Sequence, residues 1–365
     1  MAFGWRSVTA EWPLVIPPVS VAVLGVTWGR NIGTVLALVV AVVLGAVLAA
    51  VHHAEVVAHK VGEPFGSLIL AVAVTVIEVG LIVTLMISGG PATASLARDT
   101  VFAAVMLTVN GIMGLSLFVG ARRYGVALFN AEGTGAALAT VASLATLSLV
   151  LPTFTTSRPG PEFSSAQLIF AAVASLVLYG MFVLTQTGPH RHFFLPVIPD
   201  EPVAVEDRNA APPSGRVAGM SLALLVLALC AVVGLAKVES PTIEDAVEDA
   251  GLPQSIVGVV IALLVLLPET LAAVRAAQRN RIQISLNLAL GSAMASIGLT
   301  IPAIAVASIW LDGPLLLGLG PTQVVLLAIT VVVGMLTVVP GRATRLQGGV
   351  HLVLLAAYVF LSVNP

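Results

Sequence analysis

Charge is scarce along this chain. Only 9% of its 365 residues are charged, against 58% hydrophobic. Soluble domains carry about a quarter charged residues, so that class is excluded. Cysteine is nearly absent: Cys230 stands alone, which rules out an intramolecular disulfide, and its place in an apolar run makes it a small packing residue. Basic residues do not outnumber acidic ones, 16 against 18, so the footprint of a nucleic-acid binder is missing. The N-terminal segment lacks a basic stretch followed by an apolar core and a small-residue cleavage site. It reads as an uncleaved cytoplasmic tail.

What the chain has in quantity is long apolar runs, and its mean hydropathy is +1.06. Runs of about 17–25 residues, enough to cross ~30 Å of hydrocarbon, fall at 12–29, 32–58, 65–87, 99–120, 134–153, 165–186, 217–238, 255–277, 284–308, 321–340 and 347–363. They predict an all-α polytopic membrane protein of about eleven transmembrane helices, in one domain within the lipid bilayer. Gly29–Asn31 must serve as a very short turn between the first two. With the N-terminus inside, only Arg30, Arg98, Arg158 and Lys237 of the 16 basic residues fall on the external side. Cytoplasmic loops carry the excess of Lys and Arg, so eleven spans and an external C-terminus are expected.

One long polar break interrupts the pattern. Residues 187–216 carry six prolines and mixed charge, and predict a loose cytoplasmic linker. It separates 1–186, an extra N-terminal helix plus five spans, from 217–365, a second set of five. An odd number of spans per half means that equivalent helices cross in opposite directions. Gly62-Glu63-Pro64 precedes a run reaching Glu78, and Gly251-Leu252-Pro253 precedes a run reaching Glu269. The expected layout is therefore two inverted five-helix repeats, the plan on which many secondary transporters build a midplane site.

Glu78 and Glu269 are the acids that lie deepest in apolar runs. A carboxylate in hydrocarbon is costly, and such a residue marks a function by default. Both lie roughly 20 Å along their helices from opposite faces, at ~1.5 Å per residue, so they can approach if spans 3 and 8 cross. Pro268, just before Glu269, removes an N–H and frees the carbonyl of Leu264. A freed carbonyl beside a carboxylate suits a hard cation such as calcium, which takes six to eight oxygens. Asn110 in span 4 and Ser292 in span 9 are candidate further donors. The other small and polar residues of those spans, among them Gly111, Gly114, Ser116, Ser285, Gly291 and Ser296, fit close helix packing. His52, His53, Glu55 and His59 cluster at the end of span 2 as an interfacial titratable group or a proton relay. An intramembrane metal hydrolase would need three or four converging ligands and leaves both glutamates unexplained. The acidic run Glu239, Glu244, Asp245, Glu248 and Asp249 reads as a solvated external connection that can gather cations.

Three stretches resemble a known family: HHAEVVAHKVGEPFGSLILAVAVTVIEV (52–79), ARDTVFAAVMLTVNGIMGLSLFVG (97–120) and LPETLAAVRAAQRNRIQISLNLALGSAMASIGLTIP (267–302). They are similar to the two α-repeats of the calcium/cation exchanger superfamily, nearest to its bacterial ChaA-type calcium/proton antiporters. Pro268-Glu269, Arg279-Asn280 and Gly291-Ser292 carry the more specific part. The first repeat departs from the wider superfamily where Val76-Ile77 precede Glu78. The resemblance implies an antiporter of the bacterial inner membrane rather than an enzyme. One glutamate from each repeat would bind the cation, with Asn110 matching an asparagine of related exchangers. Calcium and protons are the implied substrates, with sodium or potassium as the alternative, and no cofactor is called for.

Overall fold

The computed structural model describes residues 5–30, 36–62, 65–89, 93–197, 213–251, 253, 255–310 and 313–364. Eleven long helices account for nearly all of them: α1 (Trp5–Thr27), α2 (Leu36–Val61), α3 (Phe65–Gly89), α4 (Leu96–Tyr124), α5 (Ala131–Phe154), α6 (Ser165–Thr187), α7 (Gly215–Asp249), α8 (Ser255–Gln278), α9 (Ile282–Ala307), α10 (Pro321–Val338) and α11 (Arg345–Val363). Nine have a stretch long and apolar enough to cross a membrane, and α1 and α3 contain shorter apolar segments. Each expected span has its helix.

Local chemistry sets the limits of these helices. Asn130 Oδ1 accepts from the backbone N–H groups of Glu132 and Gly133 at 2.9 and 3.1 Å, which starts α5. Ser164 and Gln167 form a reciprocal capping box at the start of α6. Asn280, at φ 60°, closes α8: its N–H meets Ala277 O at 3.2 Å and the next N–H meets Ala276 O at 2.9 Å. This is a Schellman turn with asparagine at the left-handed position, so the Arg279-Asn280 pair marks the hinge into α9.

Two expectations are corrected. The segment after α6 is not loose throughout. Residues Arg191–Phe194 form a helical turn, Phe194 is buried against Phe182 with ring centroids 5.6 Å apart, and Asn287 Nδ2 donates to Phe194 O at 2.7 Å. Two adjacent aromatics outweigh the polar composition around them; residues 198–212 of the linker lie outside the described residues. The acidic run is solvated only in part: Asp245 and Asp249 are exposed, as expected. It continues α7 as helix to Asp249, and Glu239 is buried, because the helical period turns that position inward. The side chains of Glu244 and Glu248 lie outside the described residues.

The helices gather into two compact units, each drawing on both halves of the chain. In the first, α7 packs against α1, α2 and α3. Glycines permit the approach: a Cβ on Gly80 would lie 2.5 Å from Val233 Cγ2, and one on Gly234 2.5 Å from Leu24 Cδ2. The second unit holds α4–α6 and α8–α11 around α4, whose apolar window is 83% buried against 17% for α11. There a Cβ on Gly348 would lie 2.5 Å from Phe118 N and one on Gly114 2.7 Å from His351 Cβ, so α4 and α11 cross backbone to backbone.

Loops of the second unit divide into two sets. The α4–α5 loop pairs with the α10–α11 loop as a short antiparallel bridge, Ala127 opposite Ala343, and Tyr124 donates to Gln278 O at 2.9 Å beside the α8–α9 turn. The α9–α10 loop bonds the other set: Leu316 N to Ala94 O at 3.1 Å, and Gly318 N to Pro161 O at 3.0 Å. Loops expected on the same side of the membrane are thus joined to each other.

Candidate functional site

Glu78 lies in the middle of α3 and is buried, 3% exposed, within the first unit. The helix forms because its 25 residues run almost unbroken through Val, Ile, Leu and Ala, and a backbone in hydrocarbon must satisfy its own hydrogen bonds. Gly80 admits α7 to the same stretch of α3. Glu269 lies half-buried near the middle of α8, in the second unit. Pro268 sits inside that helix, so the Leu264 carbonyl loses its intrahelical donor. Two residues past Pro268, the Thr270 hydroxyl donates to Leu266 O at 2.7 Å. The α8 helix is seated tightly on α4, where a Cβ on Gly258 would lie 2.8 Å from Thr100 N.

Asn110 sits within a π-helical turn of α4, Leu107–Ile112, which packs against α8, α9, α10 and α11. Such turns recur at functional sites, because the extra residue re-aims side chains. The amide is fully buried: Nδ2 donates to Thr330 Oγ1 at 2.8 Å, and Oδ1 lies 2.9 Å from His351 Nδ1. Ser292 is half-buried on α9, and the small residues around it pack as expected. Ser285 donates to Ser116 at 2.5 Å, joining α9 to α4, and a Cβ on Gly298 would lie 2.7 Å from Tyr179 Cβ.

Within the histidine cluster His52 and His53 stay in ring contact, centroids 5.5 Å apart, but differ in burial. His53 is buried and bonds the Pro13 carbonyl of α1 through Nε2 at 2.8 Å; His52 is exposed beside Trp12, and Glu55 and His59 are exposed. Among the described residues no group of three or more His, Cys, Asp or Glu gathers to hold a metal.

Two buried ionisable groups, Asp99 and His351, went unremarked in the sequence, and a third, Glu239, stood there only as part of the acidic run. Asp99 is a buried acid in the first turn of α4, met by Arg98 Nε and Ser95 Oγ, both at 2.8 Å. Its position at a helix N-terminus was the available signal, and its partners give it a structural role. Glu239 is 5% exposed with Oε1 unbonded among the described residues. His351 is fully buried in α11; a histidine inside an apolar run belongs to the same costly class as the glutamates and deserved the same weight.

Comparison with known proteins agrees with this architecture. The protein y4hA of Sinorhizobium fredii is 46% identical over 351 residues, covering 96% of this chain and 91% of the relative. The sodium-potassium/proton antiporter ChaA of Escherichia coli is 32% identical over 354 residues, covering 96% and 95%. The solved structure of native YfkE superposes with a TM-score of 0.71 at 16% identity, covering 97% of this chain and 99% of that one, and so shares the fold. The family model for sodium/calcium exchanger proteins matches residues 32–188 and 220–364. A chain of eleven apolar helices, matched across both halves by that model, is a multi-pass membrane protein and belongs to the sodium/calcium exchanger protein family.

Proposed function

We propose that this chain is a calcium/proton antiporter of the bacterial inner membrane, to whose cation site Glu78 and Glu269 each contribute a carboxylate. The observation that carries the reading is one intramembrane glutamate in each matched half, on α3 and on α8 beside Pro268. Two carboxylates neutralise a divalent cation, and the Leu264 carbonyl, Asn110 and Ser292 are the further oxygens the reading assigns. Protons and the cation then compete: the cation binds the ionised pair, whereas in its absence two like charges in hydrocarbon repel and take up protons. Mutual exclusion at one site is the minimal requirement for exchange. If both glutamates turn over, two protons exchange per calcium. Over one pH unit they supply roughly 2.7 kcal/mol, enough for about a hundredfold calcium gradient. Alternating access would come from rocking of two inverted five-helix repeats, with the N-terminus cytoplasmic and the C-terminus external.

A second reading is sodium or potassium exchange for protons at the same residues. The 32% likeness to ChaA, named as a sodium-potassium/proton antiporter, favours it. Flux in everted vesicles with calcium, sodium and potassium in turn separates the two. Glu78→Gln and Glu269→Gln each preserve size and one oxygen while removing the titratable charge, and each should abolish cation-driven proton movement with the protein still folded in the membrane. Glu→Asp at either position should keep partial activity at weaker cation affinity. A purely structural glutamate gives the opposite order, with Gln tolerated and Asp destabilising.

A further inference from the structure

A chain of buried polar groups runs through the second unit behind the π-helical turn of α4. Thr337 Oγ1 lies 3.2 Å from His351 Nε2, His351 Nδ1 lies 2.9 Å from Asn110 Oδ1, and Asn110 Nδ2 donates to Thr330 Oγ1 at 2.8 Å. Met106 Sδ closes the chain, 3.7 Å from Asn110 Nδ2 and 3.6 Å from Thr330 Oγ1. Asn110, Thr330, Thr337 and His351 are each no more than 2% exposed, so bulk solvent is kept from these bonds.

The proton positions follow from chemistry. A thioether has no proton to give, so the amide edge facing Met106 is the NH2. That leaves Oδ1 toward His351, and Nδ1 must then be the protonated nitrogen. Nε2 in turn accepts from the Thr337 hydroxyl, while the Thr330 hydroxyl accepts from Asn110 and donates to sulfur. Both amide protons are used and one lone pair of Oδ1 remains. A flipped amide would set oxygen against sulfur.

We propose that His351 is a positioning residue for cation binding: its Nδ1–H fixes which edge of the Asn110 amide bears the oxygen, leaving one oxygen lone pair for a cation and holding the amide nitrogen at the Thr330 edge. The inference rests on the cation site proposed above, in which Asn110 is a donor. The π-helical turn that carries Asn110 packs against α8, the helix of Glu269, within the same unit. His351 and Thr337 stand on α11 and α10, so these outer helices set the ligand through the amide.

The test uses the full chain in vesicles, with KM and maximal rate measured for calcium, sodium and potassium in turn. His351→Phe keeps an aromatic ring and removes the donor. It should raise KM for the transported cation about tenfold, as loss of an outer-shell partner does, with maximal rate per folded protein within about twofold. Asn110→Ala should raise KM at least as much, and the double variant should match Asn110→Ala alone, because His351 acts only through Asn110. His351→Gln, which can still donate, should recover most of the affinity. If His351→Phe fails to accumulate, Thr330→Val, which removes the acceptor on the other amide edge, should raise KM in its place. Unchanged KM, multiplying effects in the double variant, or a His351→Gln as poor as His351→Phe would overturn the inference. Glu269→Gln in the same vesicles separates the two levels. Full exchange there would bring down the glutamate site itself. No exchange there with a normal KM in His351→Phe would bring down only the role of His351.

Discussion

Pro17 has no N–H to offer the carbonyl of Pro13, four residues back on α1. His53, on α2, supplies the missing donor from Nε2 at 2.8 Å, and the pair is buried. His53 thus fills a gap that a neighbouring proline opens. His53→Leu should leave that carbonyl unsatisfied and cost about 1–3 kcal/mol, read as a lowered Tm in detergent with KM unchanged. His53→Gln, which can still donate, should recover much of the loss. An altered KM in His53→Leu at normal Tm would show that the residue belongs to transport after all. At this scale the sequence was most legible for the glutamates, whose cost in an apolar run needs no partner to be recognised. It was least legible for His351, because Asn110 lies 241 positions away and only folding brings the two together.

Helices are where single residues acquire consequences along a length of backbone. Pro268 interrupts α8 directly before Glu269, and restoring the N–H should stabilise the helix while closing the Leu264 carbonyl to any cation. Pro268→Ala is therefore expected to raise Tm, since an interior proline costs ~3 kcal/mol, and to raise KM for the transported cation severalfold. A raised Tm with unchanged KM would remove the Leu264 carbonyl from the ligand set. Element limits were legible because apolar runs and caps such as Asn130, Ser164 and Thr344 are written locally. The π-helical turn Leu107–Ile112 was not, since neither the Thr108 hydroxyl bonded back to Ala104 O nor Gly111 dictates a π-turn rather than a regular helix.

For the molecule as a whole, loop partnerships and charge bias point to the same arrangement of spans. The two ends of α7, Gly215 and Asp249, should then face opposite sides of the membrane. Cysteines placed at these positions in a Cys230→Ala background should react with an impermeant thiol reagent from opposite sides. Reaction from the same side would undo the eleven-span arrangement. Span count and linker composition suggest a division into two halves, whereas the compact units each draw on both. The grouping of α7 with α1–α3, and of α8–α11 with α4–α6, was not readable, because it depends on which faces meet across the chain.

The length of α7 makes membrane thickness a variable of the protein. Its 35 residues span about 52 Å, against ~30 Å of hydrocarbon. Such a helix must lean, or carry its acidic end well clear of the lipid. Because α1, α2 and α3 are packed along it, a change of lean is shared by the whole first unit, the helix of Glu78 included. If that lean reaches Glu78, cation affinity should shift between vesicles of short and long acyl chains, and an affinity independent of chain length would show that it does not.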